Sequence, residues 1–503
     1  MFNKILVANR GEIAVRVIRA CKELNIKTVA IHSSVDTEAM HVKLADESIC
    51  VGSALPNESY LNIPSIMSAV EITGADAVHP GYGFLSENDK FAKILSSHKV
   101  KFIGPTSKSI LELGNKSNAL KLASDFKLPI LGNKNSKNIE NTSDAQKIAK
   151  EIGMPVVIKA AYGGGGKGMR VFKNSSEIDK YFSQLKAEAK NYFGNDTMYA
   201  EKFLTNAKHI EFQVISDPKN NYAEIIGQRD CSIQRKNQKI IEEIPSDFVD
   251  INNLKVIEQN IKDLLLKNEY EGLGTLEFLY QDNEIFFIEM NTRLQVEHPV
   301  TELITGIDLV QKQFEVAAGI PLNISQNDIG ITGHSIEARI YAEDVSKGFL
   351  PAIGKLSMWR PPSTPGVRMD SGFREGDEVT IDFDPMLAKL IVHAPTRDAA
   401  LRRLDNALSE FVVLGVTTNV GFLRQVSKSE VFSNGLVTTD YLDNISLEEF
   451  NEPEISESIL ISIAAAASRL GLDRNIISGN SEVVDEYSGH SGDPFKTLTR
   501  TYP

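Results

Sequence analysis

The sequence predicts a fold of mixed class, α/β followed by α+β, and three stretches carry that expectation. Lys4 to Ala8 is an apolar run closed by Asn9-Arg10-Gly11-Glu12. Apolar residues at 13, 14, 17, 18, 20, 21 and 24 then follow helical spacing, and Thr28 to His32 returns as a strand. Such a β-α-β unit opens a doubly wound parallel sheet. Pro155 to Phe172 reads as strand, glycine loop, strand. Thr275 to Tyr280 and Glu284 to Met290 are two strands around a short polar turn.

Further strands at Ser48 to Val51, Ala75 to His79 and Val100 to Ile103 complete the first domain, residues 1–114. Its Asn9-Arg10-Gly11 turn has one glycine, which argues against dinucleotide binding there. His79-Pro80-Gly81-Tyr82-Gly83-Phe84-Leu85 follows a strand end, where open α/β sheets place ligands. A tight structural turn accounts for that stretch equally well.

The bulk numbers narrow the class. A chain of 503 residues holds about three domains by length. With 42% apolar and 24% charged residues it has the composition of a soluble protein, and no apolar run approaches the ~18 residues of a membrane span. A net charge of −13 argues against a nucleic-acid surface. Cys21, Cys50 and Cys231 are few, odd in number and far apart, which predicts a reducing, cytoplasmic setting and no metal cluster. Met1 runs directly into the first strand, so no targeting segment is expected before it.

The glycine loop is the first functional pointer. Five of the six residues from Gly163 to Gly168 are glycine, with Lys167 between. Consecutive glycines let the backbone approach another group closely and turn its N–H groups on an anion. A Walker loop would need glycine at Ala161 and Ser or Thr at Gly168, and a dinucleotide loop would need a following helix where Met169 to Phe172 look like strand. What remains is a glycine lid over phosphates, or a flexible surface loop. Thr142 to Ile152 before it is helical. Lys159, at the end of the first strand, can reach phosphate oxygens. Met198 to Leu204 returns as a strand whose edge could offer backbone groups to a base. The sequence leaves Lys167 without a role.

The densest chemistry lies between Gly274 and Glu302. Glu289, Asn291, Arg293, Gln295 and Glu297 occupy every second position, which in an extended chain places them on one face. If Asp282, Asn283 and Glu284 form a three-residue loop, Glu277 stands opposite Glu289; a two- or four-residue loop would move it to the other face. Like charges facing across strands repel, and a divalent cation such as magnesium would reverse that sign.

Beyond Gly333, strands at Ser335 to Tyr341, Gly354 to Met358 and Lys389 to Val392, with a helix over Arg397 to Phe411, predict an α+β domain over 333–447. The tail, 448–503, holds an apolar helix over Ser456 to Leu470 and a linker-like Ser/Gly/Asp-rich stretch.

Taken together these residues resemble the biotin carboxylases of the ATP-grasp superfamily. The resemblance covers Lys4 to about Leu442. It rests on Asn9-Arg10-Gly11-Glu12-Ile13-Ala14, His79 through Asn88, the glycine loop, and Glu-Met-Asn-Thr-Arg-Leu-Gln-Val-Glu-His-Pro-Val-Thr-Glu from Glu289 to Glu302. It implies a Rossmann-like N-terminal domain, a central ATP-grasp domain over 115–332 whose lid spans about 132–203, and the C-terminal domain. The implied reaction has two stages: ATP activates bicarbonate as carboxyphosphate, and the carboxyl group passes to biotin on a carrier protein.

Carried over position by position, the resemblance gives each matched residue a role. Lys116, Lys159, His209 and the backbone of Gly163, Gly164, Gly165 and Gly166 would hold ATP phosphates and ribose. Glu201, Lys202 and Leu204 would contact the adenine, with Gln234 nearby. Glu277 and Glu289 would bind Mg2+ or Mn2+, supported by Asn291. Lys239, Arg293, Gln295 and Val296 would bind bicarbonate. Glu297 would be the general base, and Arg339 would stabilise charge on the biotin ureido oxygen. A biotin carboxyl carrier protein or domain and a carboxyltransferase subunit are the implied partners, in a homodimer or larger complex.

Two features depart from the pattern. Asn237 stands where many relatives carry histidine, and the tail has no Met-Lys-Met carrier motif. Biotin would then arrive on another polypeptide or on a further part of this one. Another ATP-grasp carboxylate ligase, an inactive ATP-binding scaffold and the subunit of a two-subunit pyruvate carboxylase are the competing readings. Arg293, Gln295 and Glu297 argue against the first. The presence of Glu297, Lys239 and the paired carboxylates argues against the second. The acyl acceptor is open among acetyl-, propionyl- and methylcrotonyl-CoA.

Overall fold

In the computed structural model, five parallel strands form the first sheet: β1 (Lys4–Val7), β2 (Lys27–Ser33), β3 (Glu47–Gly52), β4 (Ala77–His79) and β5 (Lys101–Phe102). Their order, β3-β2-β1-β4-β5, is the doubly wound arrangement that the opening β-α-β unit predicts. The structure describes residues 1–131, 139–160, 168–322, 324, 329–445 and 461–462. The glycine run Gly163–Gly166, Lys167 and almost all of the expected tail helix lie outside the described residues. Residues 1–451 form one compact unit and 452–503 another.

The helix Gly11–Glu23 buries Ile13, Ala14, Val17, Ile18 and Cys21 against β1 and β2. Its apolar residues recur three and four apart, so one stripe faces the sheet. His79-Pro80-Gly81 is a structural turn. His79 Nδ1 accepts from the Gly81 N–H at 3.0 Å, its Nε2 donates to Gln313 Oε1 at 3.0 Å, and Asn9 Nδ2 donates to the Pro80 and Tyr82 carbonyls at 2.7 and 2.8 Å. The loops that follow β1 and β4 are thereby tied together.

A small antiparallel sheet follows, β7 (Met169–Phe172), β6 (Val156–Ala160) and β8 (Met198–Lys202), in that order. The helices Thr142–Ile152 and Ser175–Phe193 accompany it, each capped by an asparagine side chain, Asn141 and Asn174. β8 lies at the edge of this sheet.

The large sheet has eight strands. In order they are β13 (Glu284–Asn291), β12 (Gly272–Gln281), β9 (Lys208–Asp217), β10 (Tyr222–Arg235), β11 (Gln238–Ile244), β14 (His334–Tyr341), Met386–Ala394 and Val367–Ser371. It runs unbroken past residue 333, because β11 pairs with β14. The expected strand over Gly354 to Met358 is two short pieces instead, Gly354–Lys355 and Met358–Arg360, paired with different partners. No described helix is long and apolar enough to cross a membrane.

The β12–β13 hairpin corrects the loop expectation. Gln281 pairs with Glu284, so the loop is Asp282-Asn283, with φ of +54° and +63°. Two consecutive positive φ values make the type I′ turn favoured in two-residue hairpins. Such a loop alone would have put Glu277 on the wrong face. A bulge between Glu277 and Phe278 inserts Ile288 on the opposite strand and restores the pair Glu277–Glu289. The same turn chemistry explains Asn237: with Lys236 it joins β10 to β11 at φ +64°, a conformation asparagine tolerates.

Candidate active site

The site is built on one face of the large sheet. Along β9, Ile210, Phe212 and Val214 enter the hydrophobic core, while His209, Glu211 and Gln213 point the other way. Register aligns Glu289, Glu277, Glu211 and Arg229 as one row across β13, β12, β9 and β10. Three carboxylates side by side would repel. Cations offset them.

Lys239, on β11, is the central cation. Its ammonium lies 2.9 Å from Glu277 Oε1 and 2.7 Å from Glu297 Oε1, and it also pairs with Glu211. Burial pulls this ammonium down, yet Glu277 and Glu297 outweigh it and hold it above the ordinary lysine value. Arg339 on β14 donates to Glu242 Oε1 at 2.7 Å and to Glu297 Oε2 at 3.0 Å. Burial would raise the Glu297 carboxyl, but Lys239, Arg339 and Arg229 overcome it and hold it well below the usual carboxylate range. Glu277 is depressed likewise, by Lys239 and His209 against its burial.

The alternating set does not stay extended. β13 ends at Asn291, and Gln295, Val296 and Glu297 turn into the helix His298–Thr305, for which Glu297 is the N-cap residue. The turn still gathers most of them. Asn291 Nδ2 and Gln295 Nε2 donate to Glu277 Oε1 at 2.7 and 2.8 Å, and Arg293 donates to Asn291 Oδ1 at 2.7 Å and to Glu87 Oε2 at 2.9 Å. Val296 contributes its carbonyl, which accepts from buried Lys389 at 2.8 Å.

The residues expected around the nucleotide lie nearby. Lys116, at the start of the helix Lys116–Asp125, donates to Glu289 Oε2 at 2.9 Å. Lys159 on β6 pairs with Glu201 on β8, so it is not a solvated edge residue. Lys202 turns its ammonium to the carbonyls of Gly153 and Met154 at 3.0 and 2.8 Å, which leaves its backbone, not its charge, for a base. Leu204 is half-buried just past the end of β8. Gln234 Nε2 is 3.2 Å from His209 Nδ1, and His209 Nε2 is 3.1 Å from Glu277 Oε2.

The carboxylates of Glu277 and Glu289, paired across β12 and β13, are the oxygen donors that suit magnesium. His209, Glu211 and Glu277 bring ligand atoms within 4.8 Å of one another, and Glu289 is open enough to reach a cation, its side chain 41% exposed. The Tyr199 hydroxyl on β8 is buried with no hydrogen-bond partner among the described residues, close enough to Glu201 and Glu289 to feel their charge.

Sequence reasoning passed over Glu211, Arg229, Glu242 and Glu87. The first three sit on strands it did not read, β9, β10 and β11. The alternation of Lys208-His209-Ile210-Glu211-Phe212-Gln213-Val214 is the signal that would have revealed β9.

Three family models match the chain in succession: biotin carboxylase, N-terminal domain (residues 1–110), carbamoyl-phosphate synthase L chain, ATP binding domain (115–325), and biotin carboxylase C-terminal domain (337–444). The biotin carboxylase of Haemophilus influenzae is 46% identical over 443 residues, which cover 88% of this chain and 98% of that one. The chain belongs to the biotin carboxylase family. The propionyl-CoA carboxylase alpha chain of Caenorhabditis elegans is also 46% identical, over 94% of this chain but 66% of its own length. The chain thus spans just under two thirds of that relative. Among solved structures, the biotin carboxylase domain dimer of the Hydrogenobacter thermophilus 2-oxoglutarate carboxylase, in complex with MgADP, ADP and bicarbonate, superposes with a TM-score of 0.85. It is 42% identical over 90% of this chain and all of that domain. Members of the family are ATP-dependent ligases that act on biotin.

Proposed function

We propose that this chain carboxylates biotin held on a carrier protein or domain, as the biotin carboxylase component of an acyl-CoA carboxylase. The observation that carries the reading is the set of contacts joining Lys239, Glu277, Gln295, Glu297 and Arg339. Bicarbonate is a small anion that needs cations and an amide to fix it against the γ-phosphate of ATP. Lys239, Arg293, Gln295 and the Val296 backbone supply these. Lys116, Lys159, His209 and the glycine run would hold the nucleotide, and Glu201, Lys202 and Leu204 line its base, with Gln234 behind His209. Glu277 and Glu289, supported by Asn291, would hold the Mg2+ or Mn2+ that neutralises the phosphates.

In this reading Glu297 takes the bicarbonate proton, and a bicarbonate oxygen attacks the γ-phosphorus, giving carboxyphosphate and ADP. The carboxyl group then passes to the ureido nitrogen of biotin as its bond to phosphate breaks, and the departing phosphate takes the proton that the nitrogen gives up. A carboxylate clamped by two cations is a weak base. Its basicity rises when Lys239 turns to bicarbonate and again when Arg339 turns to the ureido oxygen, so bicarbonate alone permits a slow proton transfer and biotin speeds it. A guanidinium suits that oxygen because it stays charged and donates in a planar fork.

Bicarbonate-dependent ADP release stimulated by free biotin is the expected activity. Its absence in the folded chain would favour an inactive scaffold, and stimulation by an amine or carboxylate co-substrate instead of biotin would favour another ligase. Propionyl-CoA is the acyl acceptor best supported, through the alpha-chain relatives. Co-purification of a pyruvate-specific carboxyltransferase would point to the pyruvate carboxylase alternative. A homodimer, a separate carrier and a carboxyltransferase subunit complete the proposed assembly. The free thiols of Cys21, Cys50 and Cys231 fit a reducing compartment such as the cytoplasm.

A further inference from the structure

Arg229 is a fully buried arginine, and five side chains from four parts of the chain converge on it. Its Nε and one terminal nitrogen both donate to Glu211 Oε2, at 3.1 and 3.0 Å. That same nitrogen reaches Gln295 Oε1 at 2.6 Å and Thr275 Oγ1 at 3.3 Å. The other terminal nitrogen donates to Gln213 Oε1 at 2.7 Å and Thr301 Oγ1 at 3.0 Å. A planar fork of five donors is the group that can meet this many acceptors at fixed angles.

The contact with Gln295 has a chemical consequence. An amide can be turned either way round, and its partners decide which end is oxygen. Because Arg229 can only donate, it fixes the Gln295 oxygen on its own side. That leaves Nε2 to face Glu277, where it donates at 2.8 Å. Through Glu211, Arg229 also anchors one of the three carboxylates that hold the Lys239 ammonium. One residue beneath the site therefore sets the direction of the amide and the seat of the lysine. We propose that Arg229 is a positioning residue for the bicarbonate subsite, acting through Gln295 and Lys239 without touching substrate. This rests on the assignment of Gln295 and Lys239 to bicarbonate made above.

The test uses the full chain and reads the Michaelis constants for bicarbonate and ATP in ATP cleavage, with the melting temperature beside them. Arg229→Lys keeps the charge but loses the fork. It should raise the bicarbonate KM about tenfold or more, as expected for a lost charged hydrogen bond, and leave the ATP KM within about twofold. In a Gln295→Ala background the same substitution should add about threefold or less, because its main target is gone. Thr301→Val, which touches the fork on the side away from Gln295, should lower the melting temperature and spare both constants. Equal rises in the two KM values, no rise in either, or an undiminished effect in the Gln295→Ala background would overturn the proposal.

Should Arg229→Lys not fold, Thr275→Val against Thr301→Val decides. The first, beside the Gln295-facing nitrogen, should raise the bicarbonate KM on the order of threefold and the second should not; equal effects overturn the proposal. Gln295→Ala alone separates the two layers. An unchanged bicarbonate KM would remove the bicarbonate assignment and this proposal together. A raised one with an inert Arg229→Lys would remove the positioning role alone.

Discussion

Arg339 and Glu297 are bonded to each other at 3.0 Å, so the guanidinium assigned to biotin and the carboxylate assigned to proton abstraction neutralise one another. Neither cation that clamps Glu297 is left alone when it parts from that carboxylate. Arg339 keeps Glu242, and Lys239 keeps Glu211 and Glu277 when it moves off Glu297. These surrounding pairs let single substitutions be read as chemistry.

Glu297→Gln removes the base while keeping its size. Turnover should fall by about 10²–10⁴ with ATP affinity nearly intact. Steady-state kinetics with a nucleotide-binding titration check this, and an unchanged rate would remove Glu297 as the base.

Arg339→Ala should cost on the order of 3 kcal/mol in biotin carboxylation, the scale of a lost charge-stabilising donor. Bicarbonate-dependent ATP cleavage without biotin should be largely spared. Equal loss of both activities would contradict a role confined to biotin.

Asn291 donates to Glu277 and accepts from Arg293, so it holds a proposed metal carboxylate in place from behind. Asn291→Ala should raise the Mg2+ or Mn2+ concentration needed for half-maximal ATP cleavage by about 10–100-fold, with restoration at saturating metal. A metal titration of both proteins measures it.

His79 gives a pH prediction of definite sign. Burial lowers its pKa to about 4, and its Nδ1 is already used as an acceptor from Gly81. A histidine depressed on folding binds fewer protons folded than unfolded between about pH 4 and pH 6.5, so stability is complete above 6.5 and is lost as pH falls towards 4. The loss from His79 should reach about 3 kcal/mol. Buried His41, also lowered to about 4, acts in the same direction. Thermal denaturation from pH 8 to pH 4 should show the decline, with a shallower slope for His79→Gln.

The amino-acid sequence by itself determined the doubly wound start, the strands bearing Lys159 and Glu277, and the residue types of the site, because apolar periodicity and turn residues are local signals. Glu289 through Glu297 was legible as one polar group for the same reason. What joins these pieces is not local. A two-residue loop predicts the wrong face for Glu277, and the bulge at Ile288 corrects it through pairing across the sheet. Glu211 and Arg229 are ordinary charged residues in their own segments. They become the floor of the site because register places them in line with Glu277 and Glu289, and packing withdraws them from water. Buried charge must be paired, and the partners come from strands far apart in the chain. Only the tertiary structure decides which cation meets which carboxylate.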